Sequence, residues 1–163
     1  MRLHVQHLYP IQDDLDLKIF NNHNTNRPMT ILDRMLALLV ELGECANETR
    51  CFKYWSVKSP SEKEVIAQEF VDGIHFLLSL GIDLHQPVDV VQSQELVGSL
   101  SDQFISVFEA IIALSKHFDA HHYENAFSLY LGLADKLDIT EDEIEEHYQR
   151  KNQTNHKRQA ENY

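Results

Sequence analysis

Glycine and proline are scarce in this chain, at five and four of 163 residues. So few chain breakers exclude a fold built on many tight turns. No segment alternates apolar and polar residues for long either, which argues against an extensive sheet. Cysteine is nearly absent. Cys45 and Cys51 stand six apart on what reads as one helix. They point in different directions and do not bridge easily, so reduced thiols of a cytoplasmic protein are the expectation. No apolar run approaches the roughly 18 residues of a membrane span. The opening Met1-Arg2-Leu3-His4-Val5-Gln6-His7 has no apolar segment behind its charge and does not read as a signal peptide. Positive charge is the last shortage. Lys and Arg number 14 against 26 Asp and Glu, a net charge of −12. Such a surface repels nucleic acid and anionic membrane, and neither is an expected partner. The exception is a basic patch near the C-terminal end: Arg150, Lys151, Lys157 and Arg158.

What is present is helical periodicity. A first helix is predicted over Leu8–Asn21, with Ile11, Leu15 and Ile19 at four-residue spacing. Residues 22–28 are a loop by composition. A second, unusually apolar helix is predicted from Thr30 to about Tyr54. A third opens on Ser61-Glu62-Lys63-Glu64, a capping-box pattern, and runs to Gly81 or Leu84, with Pro87 following. Two more are predicted over Glu95–His117 and His121–Leu137. Thr140-Glu141-Asp142-Glu143 repeats the capping-box pattern and starts a last helix. The expectation is an all-α bundle of five or six helices, one domain over 1–150 with a polar tail over 151–163.

Four carboxylates stand out within that frame. Glu41 with Glu44, and Glu69 with Asp72, share a three-residue spacing, so each pair lies on one helix face, one turn apart. On the third helix the pair falls within the apolar face, near Val65, Gly73, Phe76 and Leu80. Ionised groups facing a core are costly unless paired or metal-bound. Few basic residues lie on these helices. An all-oxygen ligand set favours Mg²⁺ over iron or zinc. Asp72-x-x-His75 occurs once, where a di-iron bundle wants two such motifs, so His75 reads as a packed or supporting histidine. His117 and His121, four apart, read as a solvated helix end rather than a zinc site. Phe52, Tyr54 and Trp55 read as core by default, with a pocket wall as the other reading.

These residues resemble the dimeric dUTPase family of all-α nucleoside triphosphate pyrophosphohydrolases, which is related to MazG-like enzymes. The match is carried by Glu41-Leu-Gly-Glu44-Cys-Ala-Asn-Glu48-Thr-Arg-Cys-Phe52-Lys53-Tyr54-Trp55, then Glu69-Phe-Val-Asp72-Gly-Ile-His75-Phe76, then Lys151-Asn152-Gln-Thr-Asn155-His-Lys-Arg158 with Tyr163 last. Near the start, Ile11-Gln12-Asp-Asp-Leu15-Asp16 looks like the family's base-contact helix, although many relatives carry Asn where Asp16 stands. The resemblance implies hydrolysis of dUTP to dUMP and pyrophosphate, with cleavage of dUDP left open, and two or three Mg²⁺ ions held by Glu41, Glu44, Glu69 and Asp72. Glu44 or Glu69 would orient or deprotonate water. Substrate contacts would come from Gln12, Lys53, Trp55, Phe76, Lys151, Asn152, Asn155 and Arg158, with Gln12 on the uracil edge and Trp55 as a wall. It further implies an intertwined homodimer and a tail that orders over bound nucleotide. The rival readings are a pyrophosphohydrolase with another base preference (dCTP or general), a non-catalytic helical binding module, and a di-iron carboxylate protein.

Overall fold

The computed structural model of the protein describes residues 1–85 and 88–161. Pro87 and the terminal Tyr163 lie outside them. Six α-helices are described: α1 (Leu8–Asn22), α2 (Ile31–Thr49), α3 (Lys63–Asp83), α4 (Leu100–Lys116), α5 (Ala120–Leu137) and α6 (Glu141–Ala160). A single 3₁₀ turn, Pro28–Thr30, leads into α2. Two strands of three residues, β1 (Arg2–His4) and β2 (Val90–Gln92), pair antiparallel, with Leu3 opposite Val91. The all-α expectation holds, and the small ribbon is an addition to it. Three residues are too few to show a two-residue period in sequence.

α3 lies at the centre, packed against α1, α2, α5 and α6. It is buried almost without interruption from Phe70 to Gly81. By length and composition it would pass for a membrane span, but 67 % of its most apolar window is buried inside the protein, as in a core helix. Around it sit Tyr123, Phe127, Tyr130 and Tyr148, all fully buried. Two glycines let aromatic rings reach the α3 backbone. A Cβ on Gly73 would stand 2.0 Å from the Tyr130 hydroxyl, and one on Gly81 would stand 2.2 Å from that of Tyr123.

Several boundaries depart from the periodicity. α2 stops at Thr49 rather than near Tyr54, because Arg50 turns left-handed (φ 58°) and its N–H closes on the carbonyls of Ala46 and Asn47. Cys51 is therefore off the helix, and both cysteines are free thiols. The capping box expected at Ser61 does not form. The Ser61 hydroxyl donates to Glu48 instead, and α3 begins two residues later with Glu62 at its cap. α4 begins at Leu100 rather than Glu95, behind a reciprocal Ser99–Asp102 box. The Thr140–Glu143 box forms as expected.

α6 runs straight through residues 151–160 of the expected polar tail. Only Ile144 and Tyr148 give α6 an apolar anchor, so its polar half offered no amphipathic signal. That half is instead held by polar links to α1. Lys18 Nζ donates to the His156 carbonyl at 3.3 Å, and Asn22 Nδ2 to that of Gln159 at 3.0 Å.

Apolar surface is left over on two helices. Leu32, Leu36 and Val40 on α2 are 71, 62 and 49 % exposed, with Ile105 and Ile112 exposed on α4 beside it. Phe52, Tyr54 and Trp55 are exposed too, touching one another edge to face on the segment after α2. The expectation that they are core fails, because α2 ends before them.

Candidate functional site

Three of the four carboxylates converge. Ligand oxygens of Glu41, Glu69 and Asp72 lie within 4.8 Å of one another, brought together by the packing of α2 on α3. Glu44, one turn beyond Glu41, is exposed and stands outside this trio. Its charge still reaches all three. Glu48, next along the same stripe, is taken up by Ser61.

The electrostatics are those of a site short of positive charge. Burial, then the charges of Asp72 and Glu44, push the Glu41 carboxyl up to about 7. Burial followed by the same two neighbours raises Glu69. Asp72 is raised by burial, although Lys151 opposes this by donating to its Oδ2. Among the described residues, nothing donates a hydrogen bond to the buried Asp72 Oδ1. An orphaned carboxylate oxygen beside two more carboxylates fits a hard divalent cation with oxygen ligands.

One pH prediction follows. The ordinary glutamate value is 4.5, so the folded state binds an extra proton at Glu41 between pH 4.5 and about 7. Stability from this group rises as pH falls through 7 and is complete below 4.5. Glu69 and Asp72 act in the same direction. Without divalent cations, the urea midpoint should therefore fall between pH 6 and pH 8, less steeply in Glu41→Gln, and Mg²⁺ should restore it at pH 8. Parallel slopes in the two proteins would count against a strained acid cluster.

A cleft of about 420 Å³ adjoins the trio, lined by α1, α2, α3 and α6. At the acid end stand Glu41, Asp72, Lys151, Asn155 and Arg158; Arg158 acts on Asp72 as a neighbouring positive charge. The cleft is lined further by Gln12, Asp16, Arg34, His75, Phe76 and Ser79. Here the polar groups are knitted together. Gln12 Nε2 donates to Asp16 Oδ1 at 2.7 Å, while Gln12 Oε1 faces His75 Nδ1 at 2.8 Å and accepts from the Tyr148 hydroxyl at 2.9 Å. Ser79 donates to Asp16 Oδ2 at 2.6 Å, and Arg27 Nη2 pairs with that oxygen at 3.1 Å. Arg34 donates to Ser79 and, at 2.5 Å, to Asp83. Both guanidiniums lie over the Phe20 ring.

The predicted site residues divide accordingly. Gln12, Glu41, Asp72, Phe76, Lys151, Asn155 and Arg158 line the cleft, with Glu69 in the acid trio. Asn152 is buried, and among the described residues its Nδ2 has no hydrogen-bond partner. Lys53 and Trp55 do not line it. Lys53 Nζ donates to Asn47 at 2.5 Å, and Trp55 is 65 % exposed. The residues sequence reasoning did not place in the site are Arg27, Arg34, Ser79 and Tyr148. Tyr148 had a signal: with Ile144 it is the one four-residue apolar step in an otherwise polar helix. The others did not, because their partners lie many residues away.

Comparison with known proteins adds one match. The family model described as dUTPase matches residues 4–163. No curated protein matches the chain.

Proposed function

We propose, because the chain belongs to the dUTPase family, that its cleft hydrolyses dUTP between the α and β phosphates, with Mg²⁺, to dUMP and pyrophosphate. The observation that carries this reading is the convergence of Glu41, Glu69 and Asp72 beside a cleft that Lys151, Asn155 and Arg158 also line. Negative groups for cations and positive groups for phosphates stand side by side, as a metal–triphosphate complex requires.

Glu41, Glu69 and Asp72, with Glu44 beside them, would hold the ions. When bound, divalent cations supply charge neutralisation for the triphosphate and a lowered pKa for water at the site. Lys151 and Arg158 neutralise the charge that grows on the phosphates as the bond breaks. Asn155 donates to the same chain. Glu44 and Glu69 are the groups placed to orient the attacking water and take its proton; Glu69, inside the trio and made more basic by burial, is the better base. Phe76, one turn past Asp72 on the cleft wall, crowds the sugar and favours deoxyribose. The test is pyrophosphate release from dUTP, dCTP, dTTP and UTP, with Mg²⁺ and with EDTA. EDTA-sensitive release confined to dUTP is expected. Equal rates on all four would move the protein to a general pyrophosphohydrolase.

The protein also acts as a homodimer in this reading. The stripe of Leu32, Leu36 and Val40, flanked by Ile105 and Ile112, is a continuous apolar face that a second copy would cover. Leu36→Glu should convert the dimer to a monomer at micromolar concentration in light scattering. A particle of one chain's mass in the unaltered protein would end this part of the reading.

A further inference from the structure

A cation already stands on the acid trio. Lys151 Nζ donates to Asp72 Oδ2, and its charge also reaches Glu41 and Glu69. Asp72 is buried, and among the described residues nothing donates to its second oxygen. One ammonium does not neutralise three carboxylates, and Glu41 stays raised in spite of it. The contact is thus a partial substitute for the divalent cation that these oxygens fit. It is also one that the side chain can leave. The lysine hangs from α6 on a flexible four-carbon stem, is partly exposed, and lines the cleft with Asn155 and Arg158. The helix beneath it is pinned before and after this residue. Arg150 pairs with Glu64 of α3 at 2.8 Å, and Lys18 and Asn22 of α1 hold the carbonyls of His156 and Gln159. The ammonium can therefore pass from the carboxylates to the cleft while α6 stays in place.

We propose that Lys151 is a resident counter-ion that yields Asp72 to the divalent cation and only then turns to the phosphates, so that metal binds before nucleotide. This rests on the dUTP reading above. Lys151 has one positive charge and two claims on it. While it neutralises Asp72 it does not neutralise a triphosphate. A nucleotide arriving first meets a cluster of carboxylates and an ammonium already engaged. With a divalent cation on the trio, the ammonium is repelled by like charge and loses its acceptor oxygen. Lys151 is then left beside the cleft with its donors unmet, and the phosphate chain satisfies them. One side chain thus makes the positive half of the site available only after the negative half is filled. An arginine would do this poorly, because its planar fork grips a carboxylate with two bonds and releases it less readily.

The exchange of partners can be followed in the full-length protein through the ¹⁵Nζ ammonium resonance of Lys151, identified by its loss in Lys151→Met. The resonance should move on saturation with Mg²⁺ alone, and move again when a non-hydrolysable dUTP analogue is added. In EDTA the analogue should leave it in place. Calorimetry without nucleotide should find Mg²⁺ bound about tenfold tighter by Lys151→Met, where nothing competes for Asp72, and more weakly by Lys151→Arg than by the unaltered protein. Mere repulsion between charges would give the lysine and arginine proteins equal affinities, and that equality would count against displacement. An ammonium signal that Mg²⁺ does not move overturns the inference, even where dUTP is hydrolysed. So does an analogue that shifts it in EDTA. If Mg²⁺ moves the signal but no nucleotide binds, the dUTP reading fails and takes the phosphate step of this inference with it.

Discussion

Glu69→Gln should lower kcat for dUTP hydrolysis at saturating Mg²⁺ by about a thousandfold, roughly 4 kcal/mol of transition-state stabilisation. In the same protein it should raise the urea midpoint measured at pH 8 without divalent cations. The two effects have one cause. Ligand oxygens of Glu69 lie within 4.8 Å of those of Glu41 and Asp72, and all three carboxyls are pushed toward the neutral form, first by burial and then by neighbouring carboxylates that include Glu44. The isosteric amide relieves the repulsion and removes the ligand together. A residue that mattered only to packing would lose activity and stability in parallel. Loss of stability in Glu69→Gln, or kcat within a few-fold of the unaltered enzyme, would therefore remove Glu69 from the site. A gain in stability on removing a site charge is the expected mark of a centre held for its chemistry rather than for the fold.

The second large effect is purely steric. Gly73→Ala should destabilise the protein by about 3 kcal/mol, a fall in Tm of roughly 10 °C. The added methyl would stand 2.0 Å from the Tyr130 hydroxyl and 2.6 Å from its ring carbon Cζ. Tyr130 is fully buried and its hydroxyl donates to the Phe70 carbonyl at 2.7 Å, so the ring cannot swing aside without breaking that bond. Either α5 moves away from α3 or the tyrosine leaves its place. Gly73 also follows Asp72 directly, so a displaced α3 carries the acid cluster with it. Gly73→Ala combined with Tyr130→Phe should recover part of the loss, since the hydroxyl is the nearest atom. No recovery in the double variant would mean that the clash lies with the helix backbones instead.

Much of this molecule was legible beforehand, for reasons that separate local from distant physics. Helix existence followed from apolar spacing, and the α6 start from Thr140 and Glu143, whose reciprocal bonds span three residues. The acid pairs were legible because a three-residue step on a helix is a local fact. Ser61 misled because its hydroxyl found Glu48 on the preceding helix rather than the amide of Glu64. The Phe52–Trp55 segment misled because nothing local announced that Arg50 would turn left-handed. The polar half of α6 lacks an apolar face, yet Lys18 and Asn22 of α1 hold it in place. Gln12 shows the same limit: its partners His75 and Tyr148 lie 63 and 136 residues away, so only the fold shows its side chain bonded to them.

α6 is the last helix described and supplies Lys151, Asn155 and Arg158 to a cleft whose carboxylates all come from earlier helices. A ribosome therefore releases the acidic half of this centre well before its basic half exists. Until then Asp72 has no lysine across from it. Nascent chains carry the anionic cluster before the lysine that pairs with it exists. A chain cut short before Lys151 keeps Glu41, Glu69 and Asp72 but loses the cation that donates to Asp72.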